Sequence, residues 1–96
     1  MRVTFTENAL AEYISWKPED KKTLKRINLI IQDIQRNGFM SGVGKAEPLK
    51  GRKAFSRRID DKNRLVYIGN DEHDLIILSC KGHTMRISLF EDLVNQ

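Results

Sequence analysis

The sequence predicts an α+β domain, a small and mostly antiparallel β-sheet with two N-terminal helices packed on one face. Three observations predict it. Apolar residues recur at helical spacing through most of residues 8–37, apolar and charged residues alternate in three runs across 54–80, and turn-forming residues separate those runs. A twisted sheet covered by two helices follows.

The elements can be justified in order. Residues 2–6 alternate, with Val3 and Phe5 on one side, and read as a short half-buried strand. Asn8 then caps a first helix in which Leu10, Tyr13 and Ile14 recur at helical spacing. Lys17-Pro18 ends it, because the residue before a proline is pushed out of the α region. A second helix follows at once. Pro18 suits its first turn, Glu19 and Asp20 complement the positive end of its dipole, and Leu24, Ile27, Ile30, Ile31 and Ile34 form an apolar stripe that Asn37-Gly38 terminates.

Residues 39–45, with Gly42 and Gly44, read as a loop. Strands follow at about 54–60, 64–69 and 74–80, linked by Asp60-Asp61-Lys62-Asn63 and Asn70-Asp71-Glu72-His73, so neighbours should pair as antiparallel hairpins. Leu75-Ile76-Ile77-Leu78 is apolar throughout and marks a central or doubly covered strand. The face away from the helices is expected to carry the cations. Ser88 and Glu91 match a capping box ahead of Leu89, Phe90, Leu93 and Val94, which predicts a short C-terminal helix. No repeat, low-complexity tract or linker divides residues 1–96, so one domain is expected.

Composition bounds the function. At 96 residues, 40% hydrophobic and 31% charged, the chain fits one small folded domain with a thin core. Its net charge of +4 is concentrated, because residues 45–64 hold eight cations against three acids. A local positive patch points to nucleic acid or an acidic partner more than to a membrane surface. No apolar run approaches the roughly 20 residues that cross a bilayer, and residues 1–7 lack the apolar core of a signal peptide, so the cytoplasm is expected. Cys80 stands alone in an apolar run, which suits a buried structural thiol in a reducing compartment. Paired histidines at zinc spacing, a Gly-rich phosphate loop and a Ser-His-Asp pattern are all missing, so neither metal nor cofactor is expected.

Cutting RNA without a metal needs a base near the 2′-hydroxyl, an acid near the departing 5′-oxygen, and cations around the phosphate. Glu47, the one glutamate in the cationic window, is the candidate base; a surface carboxylate paired with Lys45 or Lys50 is the plainer reading. His83 follows the last strand behind Gly82, and an imidazole with a pKa of about 6.5 can serve as acid or base. His73 lies in a polar turn and should face solvent. Arg57 and Arg58 are adjacent in a strand, so at most one of them shares a cleft with Glu47. Arg64 opens the next strand, and a planar guanidinium can grip two phosphate oxygens. Salt bridges to Asp60, Asp61 or Glu72 are the competing use of these arginines. Lys45, Lys50, Arg52, Lys53, Arg57 and Arg58 complete the candidate RNA-binding set. Trp16, Tyr13 and Phe39 are expected in the core rather than stacked on bases.

Several separate blocks together resemble the YoeB/Txe toxins of the RelE superfamily. They are Glu12-Tyr13, Trp16, Lys25-Arg26-Ile27-Asn28, Gly44-Lys45-Ala46-Glu47-Pro48-Leu49-Lys50, Ser56-Arg57-Arg58-Ile59 and Arg64-Leu65-Val66-Tyr67, with His83 closing the match. The resemblance implies a RelE-like fold and a ribosome-dependent endoribonuclease that cuts mRNA and is neutralised by a cognate YefM/Axe-like antitoxin. It implies Glu47 as general base, His83 as general acid, Arg64 as phosphate clamp, and Arg58 and Lys50 as supporting cations. The residues leave open whether the chain pairs as a homodimer.

The chain departs from the family pattern in places. Thr84 stands where a tyrosine usually follows the histidine, Phe55 replaces the usual tryptophan before Ser-Arg-Arg, and the loop ahead of it is about two residues short. Residues 85–96 run beyond the usual terminus, and the tail is expected to pack beside the site, replacing the missing ring or partly covering the groove. Two other functions fit the same residues less well: an RNA- or ribosome-binding module that blocks translation without cutting, and a ParE-like toxin acting on DNA gyrase.

Overall fold

Thr6, rather than Asn8, starts the first helix. In the computed structural model, which describes residues 1–49 and 54–82, the Thr6 hydroxyl accepts a hydrogen bond from the Ala9 amide at 3.1 Å and opens α1, Glu7–Glu19. α1 runs through Pro18, which sits in the last turn instead of opening the next helix. The expected break falls at Asp20. Its carboxylate accepts from the amides of Lys22 and Thr23 and caps α2, Lys21–Asn37. The Thr23 hydroxyl, with those amides, holds the Asp20 carboxyl below the usual carboxylate range. α2 ends at Gly38, whose φ of 94° suits a residue without a β-carbon.

The rotation of α1 also differs from expectation. Leu10 and Ile14 are exposed, whereas Ala9, Glu12 and Trp16 are buried. Specific bonds set that rotation: Glu12 Oε1 accepts from Ser79 Oγ at 3.0 Å and the Cys80 amide at 2.9 Å, and Trp16 Nε1 donates to the Cys80 carbonyl at 3.0 Å. These bonds tie α1 to the end of the last strand and outweigh the gain from burying two aliphatic side chains. α2 follows the sequence pattern closely. Ile27, Ile30, Ile31 and Ile34 are buried and Leu24 packs against them, each fully buried isoleucine contributing about 1.5–3 kcal/mol.

Among the described residues the sheet has five strands: β1 (Val3–Phe5), β2 (Glu47–Pro48), β3 (Ala54–Arg58), β4 (Arg64–Gly69) and β5 (Leu75–Ser79), in the order β1-β5-β4-β3-β2. β1 pairs with β5 in parallel, and every other pair is antiparallel. The fold is therefore α+β, as expected. β5 lies between β1 and β4 and is covered on both faces, with Leu75, Ile77 and Leu78 buried. Leu65, Tyr67, Leu75 and Ile77 turn toward the helices and join the main core with Trp16 and the α2 isoleucines.

Among the described residues, the other face is cationic in one part and apolar in the rest. Arg58 and Arg64 lie there, but Val66 and Leu78, packed with Leu49, Ile68 and Ile76, form a separate apolar cluster on the rest of it. Cys80 is buried, and burial, followed by the nearby Glu12 charge, pushes its thiol up to about 12. His73 is exposed in its turn, at φ 60°. No helix among the described residues is long and apolar enough to cross a membrane. The expected helix near 88–94 lies outside the described residues.

Candidate RNA-binding cleft

Register on the solvent face brings the site together. Glu47 of β2 pairs with Ser56 of β3, and Arg58 of β3 pairs with Arg64 of β4, so all four side chains project to the same side. The loop ahead of β2 is held down by Gly44, whose carbonyl accepts from the Arg58 amide at 2.9 Å. A β-carbon on Gly44 would stand 2.9 Å from the Arg58 carbonyl oxygen, and its φ is +83°, so this close approach needs glycine.

The result is a cleft of about 420 Å³ lined by Arg26, Gly44, Lys45, Glu47, Arg58 and Arg64. Arg64 is the best-held of its cations. Its Nε donates to Ser56 Oγ at 3.1 Å, its Nη2 lies 3.5 Å from Glu47 Oε2, and 17% of the side chain is exposed. Glu47 is 61% exposed, so its carboxylate faces the cleft rather than the core. Arg58 pairs with Asp61 and stays exposed. Two guanidinium groups directly opposite each other on a sheet repel. An anion bound between them removes that penalty.

Arg57 departs from the RNA-binding set. Its guanidinium is fully buried on the helix side, 2.6 Å from Asp33, and its Nε donates to Tyr67 Oη at 3.0 Å. It also donates to the carbonyls of Gly38, Ser41 and Val43. The reason is strand alternation: Arg58 takes the cleft face, so Arg57 takes the other, where the 38–44 loop offers the carbonyls of Gly38, Ser41 and Val43 as acceptors. Arg57 therefore fastens the loop that carries Gly44 and Lys45. Its hydrogen bond, foremost, holds the Asp33 carboxyl below the usual range, while burial raises the Tyr67 phenol.

Lys45, Glu47, Arg58 and Arg64 are thus brought together, and Arg57 is separated from them. His83, Lys50, Arg52 and Lys53 lie outside the described residues. Gly82, which precedes His83, accepts from the Arg64 amide at 3.2 Å and donates to Asn63 Oδ1 at 2.8 Å. The chain thus reaches position 82 beside the start of β4.

Two participants escaped the sequence reading. Arg26 lines the cleft from α2, and Asp33 anchors Arg57. They are seven residues apart, two helical turns, and so share one side of α2. That spacing was the available signal. Among the described residues, no cluster of three or more His, Cys, Asp or Glu side chains is placed to hold a metal.

Comparison with known proteins matches this geometry to a family. The model of the YoeB-like toxins of bacterial type II toxin-antitoxin systems matches residues 5–84. The chain is 48% identical over 85 residues to Toxin YoeB of Streptomyces coelicolor, covering 86% of this chain and 99% of that protein. It is 39% identical over 85 residues to Toxin YoeB of Escherichia coli K12, covering 86% and 99%. Its fold superposes on the YoeB dimer from Staphylococcus aureus with a TM-score of 0.79 at 40% identity, covering 86% of this chain and 97% of that one. The chain belongs to the YoeB-like toxins of bacterial type II toxin-antitoxin systems.

Proposed function

We propose that this toxin is a ribosome-dependent endoribonuclease that cleaves mRNA and so inhibits translation, acting as a single domain. The observation that carries the reading is the meeting of Glu47 and Arg64 at 3.5 Å in a cleft whose other charged lining residues, Arg26, Lys45 and Arg58, are cations. Glu47 takes the proton of the ribose 2′-hydroxyl. The freed oxygen attacks the adjacent phosphorus in line, and the bond to the 5′-oxygen breaks. His83 supplies the proton to that leaving oxygen, giving a 2′,3′-cyclic phosphate and a 5′-hydroxyl.

Arg64 is suited to the charge that grows on the phosphoryl oxygens. Its Nε is fixed by Ser56, which leaves Nη2 as a positioned donor near Glu47, and preorganised donors of this kind stabilise a transition state without reorganising. Lys45, Arg58, Lys50, Arg52 and Lys53 hold the RNA backbone, and the reaction uses no metal. General acid-base assistance contributes about 10²- to 10⁴-fold, so the ribosome supplies much of the remaining positioning.

A YoeB-YefM complex has been solved from Staphylococcus aureus, as has a YoeB dimer. By that likeness, this toxin is neutralised by a YefM-like antitoxin whose acidic segment folds across the basic cleft, and it can pair with a second copy. Expression of Glu47→Gln and His83→Gln variants tests the reading. Loss of growth inhibition together with loss of transcript cleavage is expected. Retained inhibition over intact transcripts would instead identify a binding module that blocks translation without cutting.

A further inference from the structure

Two cations of the cleft have no acid to answer them. Glu47 faces Arg64 and Asp61 holds Arg58, whereas among the described residues Arg26 and Lys45 pair with no carboxylate. They reach the cleft from different elements, Arg26 from the second turn of α2 and Lys45 from the loop ahead of β2.

Among the described residues, neither is committed elsewhere. The Arg26 side chain donates one long hydrogen bond, Nη2 to the Arg58 carbonyl at 3.4 Å, which uses one of its five N–H donors. Lys45 holds a φ of 50°, a left-handed backbone that few residues with a β-carbon adopt. Such settings concentrate at functional sites. The cleft volume of about 420 Å³ lies within the usual range of ligand pockets, roughly 300–1,000 Å³. That is more room than one phosphate group fills.

We propose that Arg26 and Lys45 form a second phosphate subsite, which holds the backbone phosphate flanking the one that Arg64 grips. The subsite rests on the reading that this cleft receives an RNA strand. It touches no reacting atom, so it binds ground state and transition state alike and acts on KM rather than kcat. It grips phosphate and is blind to base identity. The division of labour follows from the pairing: the cation near the carboxylate serves the reaction, and the two unpaired cations hold the strand in register with it.

Binding of the full-length chain to a short 2′-O-methyl oligouridylate, whose blocked 2′-oxygens cannot attack, tests this over a salt series. Arg26→Gln and Lys45→Gln should each weaken binding by about tenfold. Each should also flatten the slope of log K against log salt by about 0.7, the value for one phosphate contact on a single strand. Arg36→Gln, which removes a cation from the last turn of α2 outside the cleft, should change neither quantity. Unaltered affinity and slope in Arg26→Gln and Lys45→Gln would overturn the subsite. So would an equal loss in Arg36→Gln, or no measurable binding by the parent chain.

On ribosome-bound mRNA, Arg26→Gln should raise KM and hold kcat within about twofold. A fall in kcat with KM unchanged would count against the subsite. If the parent chain binds the oligonucleotide with the expected charge dependence yet cuts no message, the nuclease reading fails and the subsite stands. Unchanged thermal unfolding of each variant separates lost contacts from lost fold.

Discussion

Arg64 Nη2 lies 3.5 Å from Glu47 Oε2, close enough for an ion pair and too far for a good hydrogen bond. The same nitrogen is buried and donates no hydrogen bond among the described residues. The pair is thus assembled without being closed, and a phosphate oxygen is the kind of acceptor that would complete it. Arg64→Lys keeps the charge and loses the planar fork that Ser56 fixes. Its cleavage of ribosome-bound mRNA should fall by about 10²-fold or more, with unfolding by urea little changed. Cleavage at the parent rate would remove Arg64 from the reaction.

Arg57 should matter to stability rather than to RNA affinity. Replacing it with methionine leaves Asp33 and several loop carbonyls without their donor, which should lower the stability of the fold. Urea unfolding reads that loss directly. A stably folded Arg57→Met chain with selectively weakened RNA binding would contradict the structural role.

The pH dependence of the same contact has a defined sign. The folded Asp33 carboxyl is held below its ordinary value by the Arg57 hydrogen bond. Its contribution is therefore present above the unfolded carboxylate pKa of about 3.9 and is lost as pH falls through the lower, folded value. Asp33→Asn should be less stable than the parent at pH 7, and the gap should close as the medium is acidified below about pH 4. A gap independent of pH would show that the charge on Asp33 does not stabilise the loop.

Cys80 should report on unfolding. Its thiol is buried, 3.7 Å from the Ala9 carbonyl, and is pushed up to about 12, so almost no thiolate forms at neutral pH. Alkylation should follow the fraction unfolded across a urea titration. Rapid labelling of the native chain would mean that the α1–β5 contact opens readily.

The tail was expected to pack beside the site, and residues 83–96 lie outside the described residues. Truncation after Thr84 checks that expectation: cleavage should slow if the tail replaces the missing ring and quicken if it covers the groove. Unchanged cleavage, folding and RNA binding would rule out both.

How far the fold could be read from the sequence depended on how local its causes are. α2 was legible because its isoleucines repeat at helical spacing and Gly38 stops it, and β4 because turn residues bracket it. α1 was misread in phase, since its rotation is set by Glu12 and Trp16 bonding to residues 64–68 positions away. The parallel pairing of β1 with β5 is equally remote. At the site, Glu47, Arg58 and Arg64 were legible by residue type and alternation, and the opposite fates of Arg57 and Arg58 followed from the same alternation. Alternation did not say which of the two faced the cleft, since Asp33 and the loop carbonyls that claim Arg57 lie 14–24 residues away; only the family resemblance pointed to Arg58. Arg26 was hidden for the same reason: only the packing of α2 beside β3 brings it to the cleft.

The most direct measurement is the single-turnover rate of cleavage of ribosome-bound mRNA by the parent chain and by Glu47→Gln, with EDTA kept low enough that ribosomes stay assembled. The parent should cut without added metal and leave a 2′,3′-cyclic phosphate, and Glu47→Gln should be slower by about 10²- to 10⁴-fold. A Glu47→Gln chain that cuts as fast as the parent, or a parent that cuts nothing, would contradict the role given to the carboxylate in the cleft.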